Sequence, residues 1–305
     1  MPGGARDVVV IALVRDGTFY IDEFLAHYRA LGTSHFLFCD NGSTDGTLER
    51  LARETDVTVI SSDMAWHDVE NTFREYAARH FCAGRWVLYA DMDEVFTFPG
   101  ADRMTLTGLA ARLDGLGATA MLAQMLEMVP PGPLQKWATR DYKACLDGFD
   151  RYDLSNITTI PYRDHHRLDF GGVLTENVEL GPGLAFLWGG LRRRVFGENC
   201  CLTKHPLVFV GPGARPGVHP HCAQGVRVAP VTGLIKHYKF AGNTVARDTD
   251  TLRRGVSDHG EDALRTRAFE ADPDLTLAGP DVAQFDGIAP LIAAGFVLDW
   301  PEETS

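Results

Sequence analysis

Seven consecutive aliphatic residues, Val8 to Val14, follow the polar start of the chain. A run with no polar residue fits a strand covered on both faces, as in parallel sheets packed between helices. It stops at Arg15-Asp16-Gly17, a turn sequence. Residues 18–31 then place Tyr20, Phe24, Leu25, Tyr28 and Leu31 at helical spacing, and Gly32 ends the stretch. A second strand is expected over 34–39. It is closed by Asp40-Asn41-Gly42-Ser43-Thr44-Asp45-Gly46-Thr47, a loop composition that opens a helix carrying Leu48 and Leu51. A third strand follows over 57–61, then a helix over about 69–81. The next apolar run ends in Leu88-Tyr89-Ala90-Asp91-Met92-Asp93-Glu94. Strands and helices alternate, which is the pattern of a doubly wound α/β layer. Such sheets bind ligands beyond the carboxyl ends of their strands, where Arg15, Asp40 and Asp91 all fall.

Asp91 and Asp93, two residues apart, would point to the same face of a continuing strand, so both carboxylates could reach one ion. Hard oxygen donors suit Mg²⁺ or Mn²⁺ bridging to phosphates. The plain alternative is a solvated turn at a strand end, and Asp40-Asn41-Gly42-Ser43 has its own, a tight turn with a helix cap.

Taken in order, the strand Val8 to Val14 with Arg15 and Asp16, the loop Cys39 to Thr47, and Leu88 to Glu94 resemble the nucleotide-sugar half of family 2-like glycosyltransferases with the GT-A fold. His27-Tyr28-Arg29-Ala30-Leu31-Gly32 resembles a subgroup with His-x-x-x-Leu-Gly before the second strand. Looser likenesses lie at Trp188 to Phe196, Lys204-His205-Pro206-Leu207 and His237-Tyr238-Lys239-Phe240. The resemblance implies a GT-A-like α/β fold and a metal-dependent transfer of a sugar from a nucleoside diphosphate, by default UDP, to a carbohydrate hydroxyl with inversion. It implies that Asp40 hydrogen-bonds the base or ribose and that Ala12, Leu13, Val14 and Arg15 line the same pocket. Asn71 and Arg74 would face the nucleotide and its diphosphate. Asp91 would reach the ribose or the metal shell, Asp93 would bind Mn²⁺ or Mg²⁺, and His237 would add a ligand. The chain departs from the family in lacking its Glu-Asp base motif and its Gln-x-x-Arg-Trp motif. Asp169, Glu176 and Glu198 remain as candidate bases. The implied organisation is a nucleotide-sugar half over 1–100, an acceptor half over 101–240, and a mainly helical segment over 241–305.

Further along, 105–116 reads as a helix and 118–129 as an apolar, Met-rich strand. The stretch 134–235 is rich in Gly, Pro, His and aromatics and reads as loops lining an acceptor cleft. His27 is expected to bond within the fold. Arg192-Arg193-Arg194 reads either as an anion clamp or as a partly solvated face. Six cysteines in 305 residues are too sparse for a disulfide framework. Cys200, Cys201, His205, His219, His221 and Cys222 form a cluster that lacks paired Cys-x-x-Cys spacing, so structural zinc is the lesser reading and an acceptor-cleft role for His219 or His221 the better one.

A formal charge of -12 excludes nucleic acid as the main partner. No apolar stretch reaches membrane-spanning length and the first residues lack a signal-peptide pattern, so a cytoplasmic location is expected, with peripheral membrane contact left open. Two other functions compete. Asp91-Met92-Asp93-Glu94-Val95 also fits the Asp-x-Asp-x-Thr/Val pattern of haloacid dehalogenase-type phosphatases, although that family carries it on its first strand. A non-catalytic sugar-nucleotide-binding protein would explain the missing base motif.

Overall fold

The computed structural model describes residues 3–254 and 260–302. The chain runs β1 (Val9–Val14), α1 (Ile21–Ala30), β2 (His35–Asp40), α2 (Thr47–Leu51), β3 (Val57–Ser61), α3 (Trp66–Phe81), β4 (Trp86–Tyr89), β5 (Glu94–Thr97), α4 (Leu106–Gly115) and β6 (Ala120–Glu127). After α5 (Tyr142–Gly148) come β7 (Arg151–Asp153), β8 (Ile157–Pro161), β9 (Val178–Glu179), β10 (Ala185–Gly189), α6 (Leu191–Phe196), β11 (Thr203–Phe209), β12 (Arg215–His219), β13 (Cys222–Gln224) and β14 (Arg227–His237). The last elements are α7 (Thr244–Arg254), α8 (Glu261–Ala271), β15 (Val282–Gln284) and α9 (Ala289–Ala293).

The central sheet has the order β3-β2-β1-β4-β11-β6-β14-β5, with β9 also paired to β14. Strands β3, β2, β1 and β4 are mutually parallel, as are β6, β14 and β9, while β11 and β5 run antiparallel to their neighbours. Helices flank it, so the protein is a Rossmann-like α/β fold with a mostly parallel central sheet.

The aliphatic run of β1 is buried on both sides. Val8, Val10, Ala12 and Val14 pack with Ile21, Phe24, Leu25 and Tyr28 of α1 and Leu106 and Leu109 of α4. Val9, Ile11 and Leu13 face the other core, with Ala77 and Ala78 of α3 and Phe186 of β10. The two-residue period of a strand sends alternate side chains to the two layers. In α1 the buried residues recur every three to four positions, Asp22 and Glu23 sit in the first turn, and Arg29 in the last. Gly32 follows with φ +88°, a left-handed stop that favours glycine. His27 Nε2 bonds the Phe96 carbonyl at 2.8 Å, the in-fold bond expected of it.

Two expectations need correction. The stretch 134–235 is not mainly loop. It supplies β11 and most of β14 to the central sheet, so a division near residue 100 does not divide the sheet. Both strands are interrupted by register shifts, which blur their alternation in sequence. The mainly helical reading of 241–305 covers α7, α8 and α9 but also β15, and its residues 255–259 and 303–305 lie outside the described ones. Among the described residues no helix is long and apolar enough to cross a membrane.

Leu88 is fully buried at the centre of β4, between β1 and β11. Leu88→Ala is expected to cost about 2–5 kcal/mol of stability through lost burial and a residual cavity. Urea denaturation checks this, and a loss under about 1 kcal/mol would mean the site collapses freely.

Candidate active site

The carboxyl ends of β1 and β4 open into a cleft of about 520 Å³. Its floor is made by the turns that follow these strands and β2, and side chains stitch those turns together. Asp40 is buried, and its carboxylate accepts from Gly42 N at 3.0 Å and Ser43 N at 3.2 Å. Ser43 Oγ accepts from Asp16 N, and Asp16 Oδ1 accepts from Thr44 N at 2.7 Å. Asp45 accepts from Thr18 N and Thr47 N, each at 3.0 Å, while Thr47 Oγ1 accepts from Gly17 N. The tight-turn reading of this loop therefore holds for Asp40. Its carboxylate is spent on the turn and its neighbour Asn41 lines the cleft instead. Of the residues expected on β1, Leu13, Val14 and Arg15 line the cleft and Ala12 is buried in the core.

On α3, Arg74 faces the cleft and Asn71, three residues before it, is exposed outside it. Arg74 is buried, pairs with Glu70, and holds Nη2 3.6 Å from Asp91 Oδ1. Tyr89 of β4 donates to the Arg74 carbonyl at 3.1 Å. Gly217 packs here with φ +69°, where an added Cβ would stand 2.8 Å from both Tyr89 Oη and Arg74 Cβ.

The chain turns sharply after β4. Asp91 N donates to Glu94 Oε2 at 3.2 Å and Glu94 N to the Asp91 carbonyl at 3.0 Å. This turn puts Asp91 and Asp93 on the same cleft, but with different partners. Strand β11 pairs with β4 so that Leu207 opposes Leu88, and continuing that register sets Lys204 opposite Asp91. Lys204 Nζ lies 2.7 Å from Asp91 Oδ2 and 2.5 Å from Glu94 Oε1. Burial would raise the Asp91 carboxyl, yet Lys204 and Arg74 override it and hold Asp91 at about 2. Burial pushes Glu94 up, helped by Asp91 and opposed by Lys204.

Asp93 meets the end of β14. Tyr238 N donates to the Asp93 carbonyl at 2.8 Å, and His237 Nε2 lies 3.4 Å from Asp93 Oδ2. The parallel register of β14 on β6 places His237 beside Glu127, whose Oε1 accepts from Nδ1 at 2.9 Å. Burial alone would lower the His237 imidazole, but Glu127 and Asp93 hold it up at about 9. Against its own burial, Asp93 is held well below the usual carboxylate range by the His237 ring.

Behind Glu127 the charges continue to alternate. Arg192 Nε lies 2.9 Å from Glu127 Oε1, and Arg192 Nη1 lies 3.3 Å from Glu198 Oε2. Glu198 Oε1 accepts from Arg265 Nη1 at 2.9 Å, and Arg265 Nε donates to Asp248 Oδ2 at 2.7 Å. Asp248 lies on α7, whose Arg247, Asp250 and Thr251 form another wall of the cleft. Arg247 donates to Tyr20 Oη and to the Ala241 and Lys239 carbonyls, each at 2.7 Å.

The three candidate bases are not in the cleft lining. Asp169 and Glu176 are exposed outside it, and Glu198 is sealed inside the charge chain. The three arginines do not form a clamp. They lie on the helix α6 and diverge: Arg192 into the charge chain, Arg193 to the Asn156 carbonyl and Thr158, Arg194 to Asp153. In the Cys/His cluster, all three thiols are buried and unbridged. Cys200 and Cys201 donate to the Gly189 and Thr203 carbonyls. His205 Nδ1 accepts from Ala223 N, and burial pushes His205 and His221 down to about 3. His219 borders a small recess beside Lys204 and Asp91.

Sequence reading missed Glu127, Lys204 and Arg247. Glu127 carried the same signal as Asp91, a carboxylate late in an apolar run, but Met128 and Val129 continue the run past it. Lys204 belongs to a segment noted only for resemblance, and Arg247 has no local signal.

Among the described residues no group of three or more His, Cys, Asp or Glu side chains surrounds one point as metal ligands would. Asp93 and His237 could together offer a divalent ion one carboxylate and one imidazole nitrogen. Glu127 orients the ring from behind so that Nε2 faces Asp93, the support that metal-binding histidines commonly have. An ion taken up at Nε2 would replace the proton there.

Neither the protein-family models nor the curated proteins contain a match to this chain. Among solved structures it is similar to the crystal structure of a mycobacterial protein. The match covers 85% of this chain and 82% of that one at 16% identity, with a TM-score of 0.29.

Arg265 is 1% exposed, and removing it leaves Glu198 and Asp248 as buried carboxylates short of a partner. Arg265→Leu is expected to cost about 3–5 kcal/mol. Adding Glu198→Leu should recover part of that loss. Chemical denaturation of both variants tests the chain, and a single-variant loss under about 1 kcal/mol contradicts it.

Proposed function

We propose that the protein is a metal-dependent glycosyltransferase of the GT-A type whose cleft binds a nucleoside diphosphate sugar, with UDP as the default nucleotide. The observation that carries this reading is one cleft, at the carboxyl ends of parallel strands, that gathers Asp91 and Asp93 with the guanidinium groups of Arg15, Arg74 and Arg247. Planar guanidiniums match phosphate oxygens in geometry as well as charge. Asp93, whose ion-pair partner is an imidazole able to exchange its proton for a metal ion, is the carboxylate through which a divalent cation would bridge to a diphosphate.

In this reading Asp93 and His237 hold Mn²⁺ or Mg²⁺ together with phosphate oxygens of the donor, and the ion neutralises charge on the departing diphosphate. Leu13, Val14 and Asn41 border the nucleoside end. Arg74 and Arg247 lie along the diphosphate, and Tyr20 keeps the Arg247 guanidinium aimed. Such preorganised charge acts on the leaving group more strongly than mobile water would. Asp250, one turn beyond Arg247 on α7 and paired with Arg253, borders the cleft and is the carboxylate we assign to deprotonation of an acceptor hydroxyl. A carbohydrate acceptor would enter from that wall.

A phosphatase of the haloacid dehalogenase type is the second reading, favoured by the lysine on Asp91. It needs a further acidic pair near that lysine. Asp272-Pro273-Asp274 is a poor candidate: neither acid borders the cleft, and Asp274 bonds Gln135 instead.

The test is thermal denaturation with UDP, Mn²⁺, both or neither. A ligand at about a hundred times its Kd adds about 2.7 kcal/mol to stability. UDP with Mn²⁺ together should raise the melting temperature, and Asp93→Ala should abolish that gain, read against the variant's own ligand-free melting temperature, along with sugar transfer. Full turnover in Asp93→Ala would refute the metal assignment. Phosphate release from simple esters without UDP stabilisation would favour the phosphatase.

A further inference from the structure

The two acids of the Asp91-Met92-Asp93 segment share a cleft but not an electrostatic situation. Both oxygens of Asp91 face cations of the protein itself: Oδ2 takes the Lys204 ammonium at 2.7 Å, and Oδ1 faces the Arg74 guanidinium at 3.6 Å. The same ammonium is shared with Glu94 at 2.5 Å. Lys204 is not a surface side chain that happens to lean in. It is 12% exposed, its strand is fixed between β4 and β6, and the β4 register delivers it to this position. Asp93 has no ammonium or guanidinium within ion-pair distance among the described residues, and its one such partner is the His237 ring, whose nitrogen can exchange a proton for a metal ion.

We propose that Lys204 is a tethered cation that keeps Asp91 out of the coordination sphere, so that a divalent ion enters this cleft through Asp93 and His237 and not through both acids. Lys204 is then a positioning residue. It offsets one of the two charges of the Asp91–Glu94 pair, and it aims Asp91 at Arg74, which lines the cleft next to Glu70. A mobile ion arriving at Asp91 would have to displace an ammonium held by two carboxylates and returned by its own covalent tether, a competition at high effective concentration. Without that ammonium, Asp91 and Glu94 are two carboxylates on one turn, a donor set that hard cations favour.

This inference rests on the metal reading above, and the experiment separates the two. Mn²⁺ binding to the full-length protein is followed by the loss of the free-ion electron paramagnetic resonance signal, with and without UDP. With UDP, Asp93→Asn should weaken Mn²⁺ binding by about tenfold or more, whereas Asp91→Asn should change it by no more than about twofold. Without UDP, Lys204→Met should bind Mn²⁺ about tenfold more tightly than wild type, and Lys204→Arg should not.

Equal losses in Asp91→Asn and Asp93→Asn would overturn the proposal, as would a folded Lys204→Met protein with unchanged Mn²⁺ affinity. If Lys204→Met does not fold, the two aspartate variants decide. If wild type takes up no Mn²⁺ even with UDP, the metal reading of the cleft fails, and Lys204→Met alone decides whether the lysine was masking a cation site.

Discussion

The structure depends on a line of buried charges of alternating sign. It runs from Asp93 through His237, Glu127, Arg192, Glu198 and Arg265 to Asp248. Each member alone would be expensive to bury, because an uncompensated charge in a low-dielectric interior loses its hydration. Paired in series, each cation lies between two anions, and the line ends on α7. Its members come from five elements and two loops: Asp93 in the turn before β5, His237 on β14, Glu127 on β6, Arg192 on α6, Arg265 on α8 and Asp248 on α7, with Glu198 in the loop after α6. Replacing the line by apolar residues of matching volume need not destabilise such a core. What the ionic version adds is a fixed register between the sheet and the helical pair that walls the cleft.

The first hundred residues were legible because their structure is local and periodic. The run Val8 to Val14 is buried on both faces as its composition demands, α1 repeats its buried residues at 3.6-residue spacing, and β3 begins and ends where the sequence placed it. The later half was not legible for a stated reason. Strands β11 and β14 carry register shifts and are interspersed with Gly and Pro, so neither two-residue alternation nor an uninterrupted apolar run marks them. Site residues divided in the same way. Arg15, Asp91 and Asp93 sit at strand ends that the pattern revealed, and Arg74 on α3 was singled out by the family resemblance. Asp40 shows the converse, a motif acid at a strand end whose own turn uses its carboxylate. Glu127, Lys204 and Arg247 reach the cleft region only through long-range pairing, and no spacing rule applied to a single sequence could link residue 204 to residue 91.

The floor and the α7 wall of the cleft are held by different forces. Short hydrogen bonds between adjacent turns tie the floor, where Asp16, Ser43, Asp45 and Thr47 bond backbone amides within one layer. Two of the acceptors, Asp16 and Asp45, are carboxylates, so these bonds are charge-assisted. The α7 wall is held by Arg247 on three oxygens and by Asp248 at the end of the charge line. An ion or phosphate at Asp93 changes the first member of that line, and low local dielectric lets neighbouring pairs feel it. The two sides of the cleft therefore differ: a floor tied by hydrogen bonds between the turns after β1 and β2, and a wall seated by the charge line that begins at Asp93.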